Sequence, residues 1–62
     1  MGPRIVKHYR LYFLDQANHI RHAISLQCDS DADALAALEG HRDGRILELW
    51  EGVRKVARLE PE

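Results

Sequence analysis

The amino-acid sequence predicts an α+β fold, in which a four-stranded antiparallel sheet carries one short helix on one face, in the order β-β-α-β-β. Residues 8–28 show strand-like alternation around a turn sequence, residues 30–43 change to helical spacing, and residues 45–59 return to two short strand-like segments. Strands that follow one another directly pair antiparallel, and one helix between two hairpins covers one side of the sheet.

The first two strands are predicted to form a hairpin. Residues 8–14, HYRLYFL, are rich in aromatic and aliphatic side chains and end at Asp15. Asp15 can accept a hydrogen bond from the backbone two residues on, and Asn18 tolerates a left-handed conformation, so a short loop follows. Residues 20–28 then alternate with period two. The apolar side of this second strand carries Ile20, His22, Ile24, Leu26 and Cys28.

A helix is predicted to begin after Ser30. Ser30 is a good N-cap, Asp33 occupies the capping-box position, and acids cluster where the positive end of the helix dipole lies. The side chains at helical spacing on one side are Ala34, Leu35 and Leu38. Asp43 and Gly44 provide the exit, so the helix is short.

The last two strands are predicted to join at Glu51 and Gly52. With these residues as the loop, opposite charges and apolar side chains pair across the hairpin. The predicted pairs are Trp50 with Val53, Glu48 with Lys55, Leu47 with Val56, and Ile46 with Ala57. Glu51 fits a primed two-residue turn poorly, so a glycine bulge with a one-residue slip stays open as an alternative.

Both sides of the predicted sheet carry apolar residues. On the first strand, Tyr9, Leu11 and Phe13 alternate with Tyr12 and Leu14. The last hairpin has one side with Ile46, Trp50, Val53, Ala57 and Leu59, and another with Leu47, Leu49 and Val56 bordered by Arg45, Arg54 and Arg58. One short helix covers only one face, and the sequence does not decide which, so we expect a partner on the other. The predicted interface residues are Tyr12, Leu47, Leu49, Trp50 and Val56.

Chain length also favours association. The chain is predicted to form one domain over residues 1–62, with residues 1–6 and 60–62 as flexible ends. A domain this small buries only about 60% of the surface of its unfolded chain. Cys28 is the only cysteine, so no internal disulfide reinforces the fold. We therefore expect a homodimer or a complex with a protein partner.

Composition bounds the class of protein. The chain is 45% hydrophobic and 31% charged with a net charge of −1, which is typical of a globular protein. Its apolar runs fall far short of the ~20 residues that cross a membrane, and its first ten residues lack the apolar core of a secretory signal. We expect a cytoplasmic protein that does not bind a membrane.

Nucleic-acid binding is the alternative prediction. Arg54 and Arg58 are predicted to share one side of the last strand, with Arg10 nearby on the first. Tyr9, Tyr12 and Trp50 offer stacking surfaces of the kind a sheet uses to bind single strands. Against this, the net charge is near zero, and long basic side chains commonly lie over apolar neighbours.

The sequence predicts no catalytic, metal or cofactor site. Ser25, Ser30 and Cys28 lack the context of an activated nucleophile. Four histidines, His8, His19, His22 and His41, do not have the spacing of convergent zinc ligands. We therefore expect a non-enzymatic protein.

Three blocks of the sequence carry a family resemblance. YRLYFLD, the acidic helix start DSDADAL, and DGRILELWEGVRKVARL resemble a family of small alphaproteobacterial proteins of uncharacterised activity, over residues 9–59. The resemblance implies a bacterial cytoplasmic setting and assigns no site residue. More loosely, DSDADALAAL is similar to the helix start of antitoxins with a partial ribonuclease H fold, whose glycine-rich, proline-containing second strand has no counterpart here.

Overall fold

The computed structural model describes residues 6–61 and confirms the predicted α+β fold and the order of its elements. The prediction of flexible ends, where it concerns residues 1–5 and 62, lies outside the described residues. The elements are β1, Lys7–Leu14; β2, Ile20–Cys28; α1, Asp31–Gly40; β3, Ile46–Glu51; and β4, Arg54–Leu59. No helix within the described range has the length and apolar character needed to span a bilayer.

The four strands form one antiparallel sheet in the order β2-β1-β3-β4. The long connection through α1 carries the chain from the edge strand β2 to β3, which lies beside β1. Hence β1 and β3 form the centre of the sheet, and β2 and β4 form its edges. The helix packs against β2 and β3 and covers one face only.

The loop between β1 and β2 forms as the sequence predicts. The Asp15 carboxylate accepts hydrogen bonds from the backbone N–H groups of Ala17 at 2.9 Å and His19 at 3.0 Å, and Asn18 has a φ of 65°. A register shift lies next to this loop, since Phe13 pairs with His22 but Leu14 pairs with Ile20. The extra residue on β2 reverses the alternation there.

Ile20 therefore differs from the prediction that it shares a face with Ile24. Because Leu14 alternates with the buried Phe13, its partner Ile20 lies on the side of the sheet away from α1. Ile20 is 57% exposed. The predicted alternation of faces is correct from His22 to Cys28, and it is interrupted at Arg21, the extra residue of the bulge.

The helix begins and ends where local chemistry requires. The Ser30 hydroxyl accepts a hydrogen bond from the Asp33 N–H at 3.4 Å, which confirms the predicted N-cap. Ala34 and Leu38 are buried against the sheet, whereas Leu35 is 38% exposed, so the predicted apolar side of the helix is buried at two of its three positions. Residues four apart share one helical face, and Leu35 lies beside that face. Gly44, in the connection between α1 and β3, has a φ of 89°, a conformation that glycine adopts readily.

The core lies between α1 and one face of β1 and β3. Leu11, Leu47 and Leu49 have no exposed surface, and Leu38 of the helix packs over them at 1% exposure. The full buried cluster is Tyr9, Leu11, Phe13, Ala34, Leu38, Leu47 and Leu49. The covered face of the sheet is thus the one that carries Leu47 and Leu49.

The predicted register of the last hairpin is wrong. The loop residues are Gly52 and Val53, and Glu51 pairs with Arg54. Gly52 has a φ of 59°, which glycine adopts without strain, so it suits the first position of a tight hairpin loop. The observed pairs are Leu47 with Leu59, Glu48 with Arg58, Leu49 with Ala57, and Trp50 with Lys55.

A bulge in β4 also contributes to the difference between the predicted and the observed register of the last hairpin. The register shifts between Leu49 and Trp50, so Val56 is an extra residue on β4. Both Val56 and Ala57 then pack against the core cluster. The bulge also places Arg54 and Arg58 on opposite faces of the sheet, because Arg54 pairs with Glu51 and Arg58 with Glu48.

Candidate functional site: the open sheet face

We call the side of the sheet away from α1 the open face. Alternation along each strand and the observed registers define its members. They are His8, Arg10, Tyr12 and Leu14 of β1; Ile20, Ala23, Ser25 and Gln27 of β2; Ile46, Glu48 and Trp50 of β3; and Lys55 and Arg58 of β4. The face is therefore mainly aromatic and basic at its centre and aliphatic at one end, where Leu14 is only 5% exposed and Pro61 lies near it and Ile46.

Trp50, the only tryptophan, lies on this open face and not in the core. It pairs with Arg10 across β1 and with Lys55 across β4. Its indole Nε1 donates a hydrogen bond to Glu48 Oε1 at 3.1 Å, and the Lys55 ammonium lies 5.9 Å from the ring centroid. The ring is partly buried by its neighbours within the sheet. Its polar atom is satisfied, and part of its surface stays available for contact.

Glu48 is the electrostatic centre of the open face. Its side chain is 12% exposed and accepts hydrogen bonds from Trp50 and Arg58, with Lys55 Nζ at 3.7 Å. Burial raises the pKa of this carboxyl, but the hydrogen bonds from Trp50 and Arg58 and the charge of Lys55 outweigh it, so the pKa lies below its ordinary value. Glu48 is therefore ionised at neutral pH and compensates the cations around it.

Arg58 connects distant parts of the chain across this face. Besides Glu48, its guanidinium donates to Asn18 Oδ1 at 2.9 Å and to Glu60 Oε1 at 3.0 Å. The bond to Asn18 joins β4 to the loop between β1 and β2, 40 residues away in the chain. Since Arg58 contacts two carboxylates, its positive charge is largely used within the molecule.

Two wide hollows lie on the open face. One of about 440 Å³ is lined by His8, Arg10, Tyr12, Ser25, Gln27 and Gly52, together with Tyr9 and Leu26. The other, of about 370 Å³, is lined by Tyr12, Ile20, Glu48, Trp50, Gly52 and Val53. Tyr12 and Gly52 line both hollows. The second hollow contains the two most exposed large aliphatic side chains of the described residues, Val53 at 96% and Ile20 at 57%.

The structure divides the predicted interface residues between the two faces. Tyr12 and Trp50 lie on the open face, and their place in an interface stays a prediction. Leu47 and Leu49 are fully buried under the helix, and Val56 packs against the same core, so these three are corrected to core positions. The prediction combined residues of opposite faces because it did not determine which face the helix covers.

The three arginines of the alternative prediction are also divided. Arg10 and Arg58 lie on the open face, but Arg54 lies on the covered side, where its Nη2 donates to Asp31 Oδ1 at 3.1 Å and also contacts Glu51. The predicted basic set is therefore corrected to two members. Of these, the Arg10 guanidinium makes no side-chain hydrogen bond or ion pair within residues 6–61, although its backbone lies in the ladder with Ser25 and Trp50.

A polar cluster at the N-terminus of α1 was not predicted. Tyr9 Oη donates to Asp31 Oδ1 at 2.6 Å, and Arg54 donates to the same carboxylate. Burial and the bond to Asp31 raise the pKa of Tyr9 to about 12, and the bonds from Tyr9 and Arg54 lower the pKa of Asp31. Asp31 lies 22 residues from Tyr9 in the chain, so only the sheet register could have indicated this contact.

The histidines and the cysteine form no reactive site in the part of the chain that the structure describes. No group of three or more metal-ligating side chains is present there. His22 and His41 flank Phe13, with ring centroids 5.4 Å and 6.2 Å from its own. Burial, with the nearby charges of Asp33 and Asp29, raises the pKa of the Cys28 thiol, which disfavours the nucleophilic thiolate.

The fold and the open face define a small α+β domain with an uncovered, aromatic and partly basic sheet surface. No family model, curated protein or solved structure matches the chain. The resemblance to small alphaproteobacterial proteins therefore stays a prediction from the sequence blocks that carry it.

Proposed function

We propose that this chain is a small non-enzymatic interaction module that self-associates through its open face as a symmetric homodimer. The observation that carries the proposal is the position of Trp50, which lies beside Tyr12 on a sheet face that no described element covers. Aromatic side chains are enriched at the centres of protein interfaces because they bury large areas and satisfy one polar atom.

The distribution of apolar residues supports a second copy as the occupant. Val53 and Ile20 lie toward opposite ends of the strands, and the hollow between them is lined by Tyr12 and Trp50. Consider a two-fold axis that lies between the two faces and is perpendicular to the line from Ile20 to Val53. It places Ile20 of each copy over Val53 of the other. One operation therefore covers both exposed residues.

The size of the open face predicts a weak dimer. Four strands about 4.8 Å apart and six residues long, at about 3.3 Å per residue, give a flat area of about 400 Å². A standard interface buries about 800 Å² of accessible surface per partner. The side chains of Tyr12 and Trp50 project from the sheet and add accessible surface to this flat area, but the total stays below that of a standard interface. We expect a dimer that dissociates on dilution.

The test is the solution mass across a dilution series, with Trp50 fluorescence recorded in the same samples. We expect a mass near twice the 7.2 kDa of one chain at high concentration. On dilution, dissociation exposes Trp50 and shifts its emission to the red. Tyr12→Glu removes one aromatic ring from the interface and places a second carboxylate opposite Glu48, so it should halve the mass at high concentration.

Leu35→Lys is the matched control, because Leu35 is an exposed large hydrophobic residue on the helix, away from the open face. It should leave the mass unchanged. The proposal is overturned by a wild-type mass of one chain at every concentration, or by Leu35→Lys and Tyr12→Glu lowering the mass equally. Circular dichroism of both variants checks that they fold.

Single-stranded nucleic acid is a second candidate for the same face. The observation that favours it is Arg10, which pairs with Trp50, adjoins Tyr12 and has no acidic partner among the described residues. In such a complex the Arg10 guanidinium would contact a phosphate, and the rings of Tyr12 and Trp50 would stack on the neighbouring bases. The loss of Arg54 to the covered side and the compensation of Arg58 by Glu48 make this candidate weaker than the homodimer.

Salt separates the two candidates. Binding of an oligonucleotide should quench Trp50 fluorescence and weaken as salt rises, because bound counterions are released from the phosphates. An apolar dimer should change little over the same range. Arg10→Ala should abolish the quenching and leave the mass unchanged. Quenching that survives Arg10→Ala would refute this candidate.

The cellular setting is also a proposal. We place the protein in the bacterial cytoplasm, and support comes from its sequence blocks, which are similar to small alphaproteobacterial proteins, and from its composition. Fractionation of the native host with an antibody against the chain tests this location.

A further inference from the structure

The two edges of the sheet are protected to different degrees against pairing with another chain. The edge strand β4 is six residues long and carries Arg54, Lys55 and Arg58 as well as the bulge at Val56. Charges and bulges are the features by which natural edge strands prevent further pairing. This edge is therefore blocked.

The other edge strand, β2, has none of these features over most of its length. It is nine residues long, and residues 23–28, AISLQC, contain neither charge nor proline. Its register with β1 is regular from His22 to Cys28. Within residues 6–61, β1 is the only strand that pairs with it. A long, regular and uncharged edge is suited to accept another strand.

The charges at the two ends of β2 have opposite sign. Arg21 lies near its beginning, and Asp29 and Asp33 lie just beyond its end. When two identical strands pair antiparallel, the beginning of each lies beside the end of the other. The basic end of one copy then meets the acidic end of its partner, and symmetry makes this happen twice.

We propose that β2 pairs antiparallel with β2 of a second copy of this chain, about a two-fold axis at Ser25, to give a continuous eight-stranded sheet. A two-fold axis perpendicular to the sheet keeps each side chain on its own face, and directly opposed residues of two strands share a face. Opposed residues of the two copies are therefore an even number of positions apart, so one residue must lie on the axis, opposite its own copy. With Ser25 on the axis, the regular segment of residues 22–28 pairs with its own copy, and Arg21, at the bulge just before this segment, comes near Asp29 of the other copy. With Ile24 on the axis, Arg21 is level with the uncharged Gln27.

A second copy fits this edge better than an unrelated extended peptide does. A basic peptide would complement only the end near Asp29, and an acidic one only the end near Arg21. Self-pairing brings opposite charges together at both ends with one register. It also places Ile24 beside Leu26 of the partner on the covered side, so the cross-strand pairs there are apolar.

This inference goes beyond the open-face dimer and does not depend on it. The two contacts use different surfaces, because edge pairing consumes the backbone groups of β2 and leaves Tyr12 and Trp50 uncovered. Edge pairing would, however, join the open faces of the two copies into one surface of eight strands. With the strand spacings used above, its flat area is about 800 Å². Two such dimers, stacked by their open faces about an axis that intersects the first, would form a tetramer with three mutually perpendicular two-fold axes.

Cross-linking at the proposed axis gives the most direct test. In a Cys28→Ser background, Ser25→Cys places two thiols opposite each other, with Cα atoms about 4.5–5.5 Å apart. Disulfides form over about 4.4–6.8 Å, so mild oxidation should link most of the protein into dimers that reducing agent separates. This readout does not require the open face to pair.

Gln27→Cys in the same background is the matched control. It lies two residues along the same strand and on the same face. In the proposed register its Cα is about 13 Å from that of its copy, four residues at about 3.3 Å each, which no disulfide spans. It should stay monomeric on a denaturing gel. Equal cross-linking of the two variants, or none with Ser25→Cys, overturns the proposal.

A charge exchange tests the register independently. Arg21→Asp should lower the dimer fraction at low salt at least fivefold, because it brings two acids level with each other. The double variant Arg21→Asp with Asp29→Arg should restore association. Failure of this restoration, with circular dichroism showing both variants folded, counts against the Ser25 register. Tyr12→Glu should leave the Ser25→Cys cross-link unchanged, which separates this contact from the open face.

Discussion

The two faces of this sheet come from alternate residues of the same strands, yet they are held by different physical interactions. On β1, Tyr9 is 2% exposed beneath the helix, whereas Tyr12 lies on the open face. On β3, Leu49 is fully buried and its neighbour Trp50 is partly exposed. The covered face is apolar and tightly packed, and the open face consists of aromatic rings between charged groups.

The polar groups of the two faces also join different parts of the chain. On the covered side, Asp31 joins Tyr9 of β1 and Arg54 of β4 to the start of the helix. On the open face, Glu48 joins Trp50 and Arg58 within adjacent strands. The first cluster fixes the position of the helix on the sheet. The second organises a surface that is already formed.

The largest expected difference between the faces is the cost of removing a side chain. Leu49→Ala deletes a fully buried side chain from the core and should lower the free energy of unfolding by about 2–5 kcal/mol. A domain of this length has only about 3–9 kcal/mol in total, so a substantial fraction of the variant should be unfolded. Urea unfolding followed by circular dichroism measures the loss.

Trp50→Ala is the matched variant on the open face, one residue along β3. In monomeric samples it should cost about 1 kcal/mol or less, because the ring is uncovered on one side. An equal loss for the two variants would show that the open face contributes to the fold as much as the core does. Measurement in dilute samples keeps association out of this comparison.

The two tyrosines give the next comparison, at alkaline pH. The folded state holds the pKa of Tyr9 at about 12, above its ordinary value of 10.0. Because the folded pKa is raised, the stabilisation is complete below pH 10 and is lost as pH rises toward 12. Urea unfolding at intervals across this range should show falling stability, and Tyr9→Phe should flatten that fall.

Tyr12→Phe provides the control for this titration. It leaves Tyr9 as the only tyrosine, since the chain has two, so absorbance of the tyrosinate then follows Tyr9 alone. The absorbance should rise near pH 12. A midpoint near 10 in the folded protein would contradict the hydrogen bond between Tyr9 and Asp31.

Local signals predicted the fold correctly because each acts within a few residues. Asp15 and Asn18 form the first loop, and Ser30 begins the helix, as their side-chain chemistry requires. Alternation along β1 and β3 was also predicted correctly. The α+β architecture follows from these elements and their order.

The site was harder to predict because face assignments depend on single-residue shifts. The extra residue near His22 moves Ile20 to the open face, and the extra Val56 separates Arg54 from Arg58. A bulge has no strong sequence signature, and one residue changes the face of every side chain that follows. Glu51 and Gly52 were predicted as the loop, whereas glycine at its first position fits Gly52 and Val53.

The smallest expected effect concerns the charge of Glu48. Glu48→Gln removes the negative charge but keeps an oxygen that can accept the Trp50 hydrogen bond. The free energy of unfolding should fall by less than about 1 kcal/mol, because Arg58 keeps Glu60 as a partner and Lys55 is 46% exposed to water. The fall should shrink further in high salt, which screens the charges of Lys55 and Arg58. Leu49→Ala should show no such salt dependence, since its cost arises from packing. If Glu48→Gln instead costs as much as Leu49→Ala at every salt concentration, the open face is held together by its charges as firmly as the covered face is by its core. Urea unfolding of both variants at low and high salt distinguishes these outcomes.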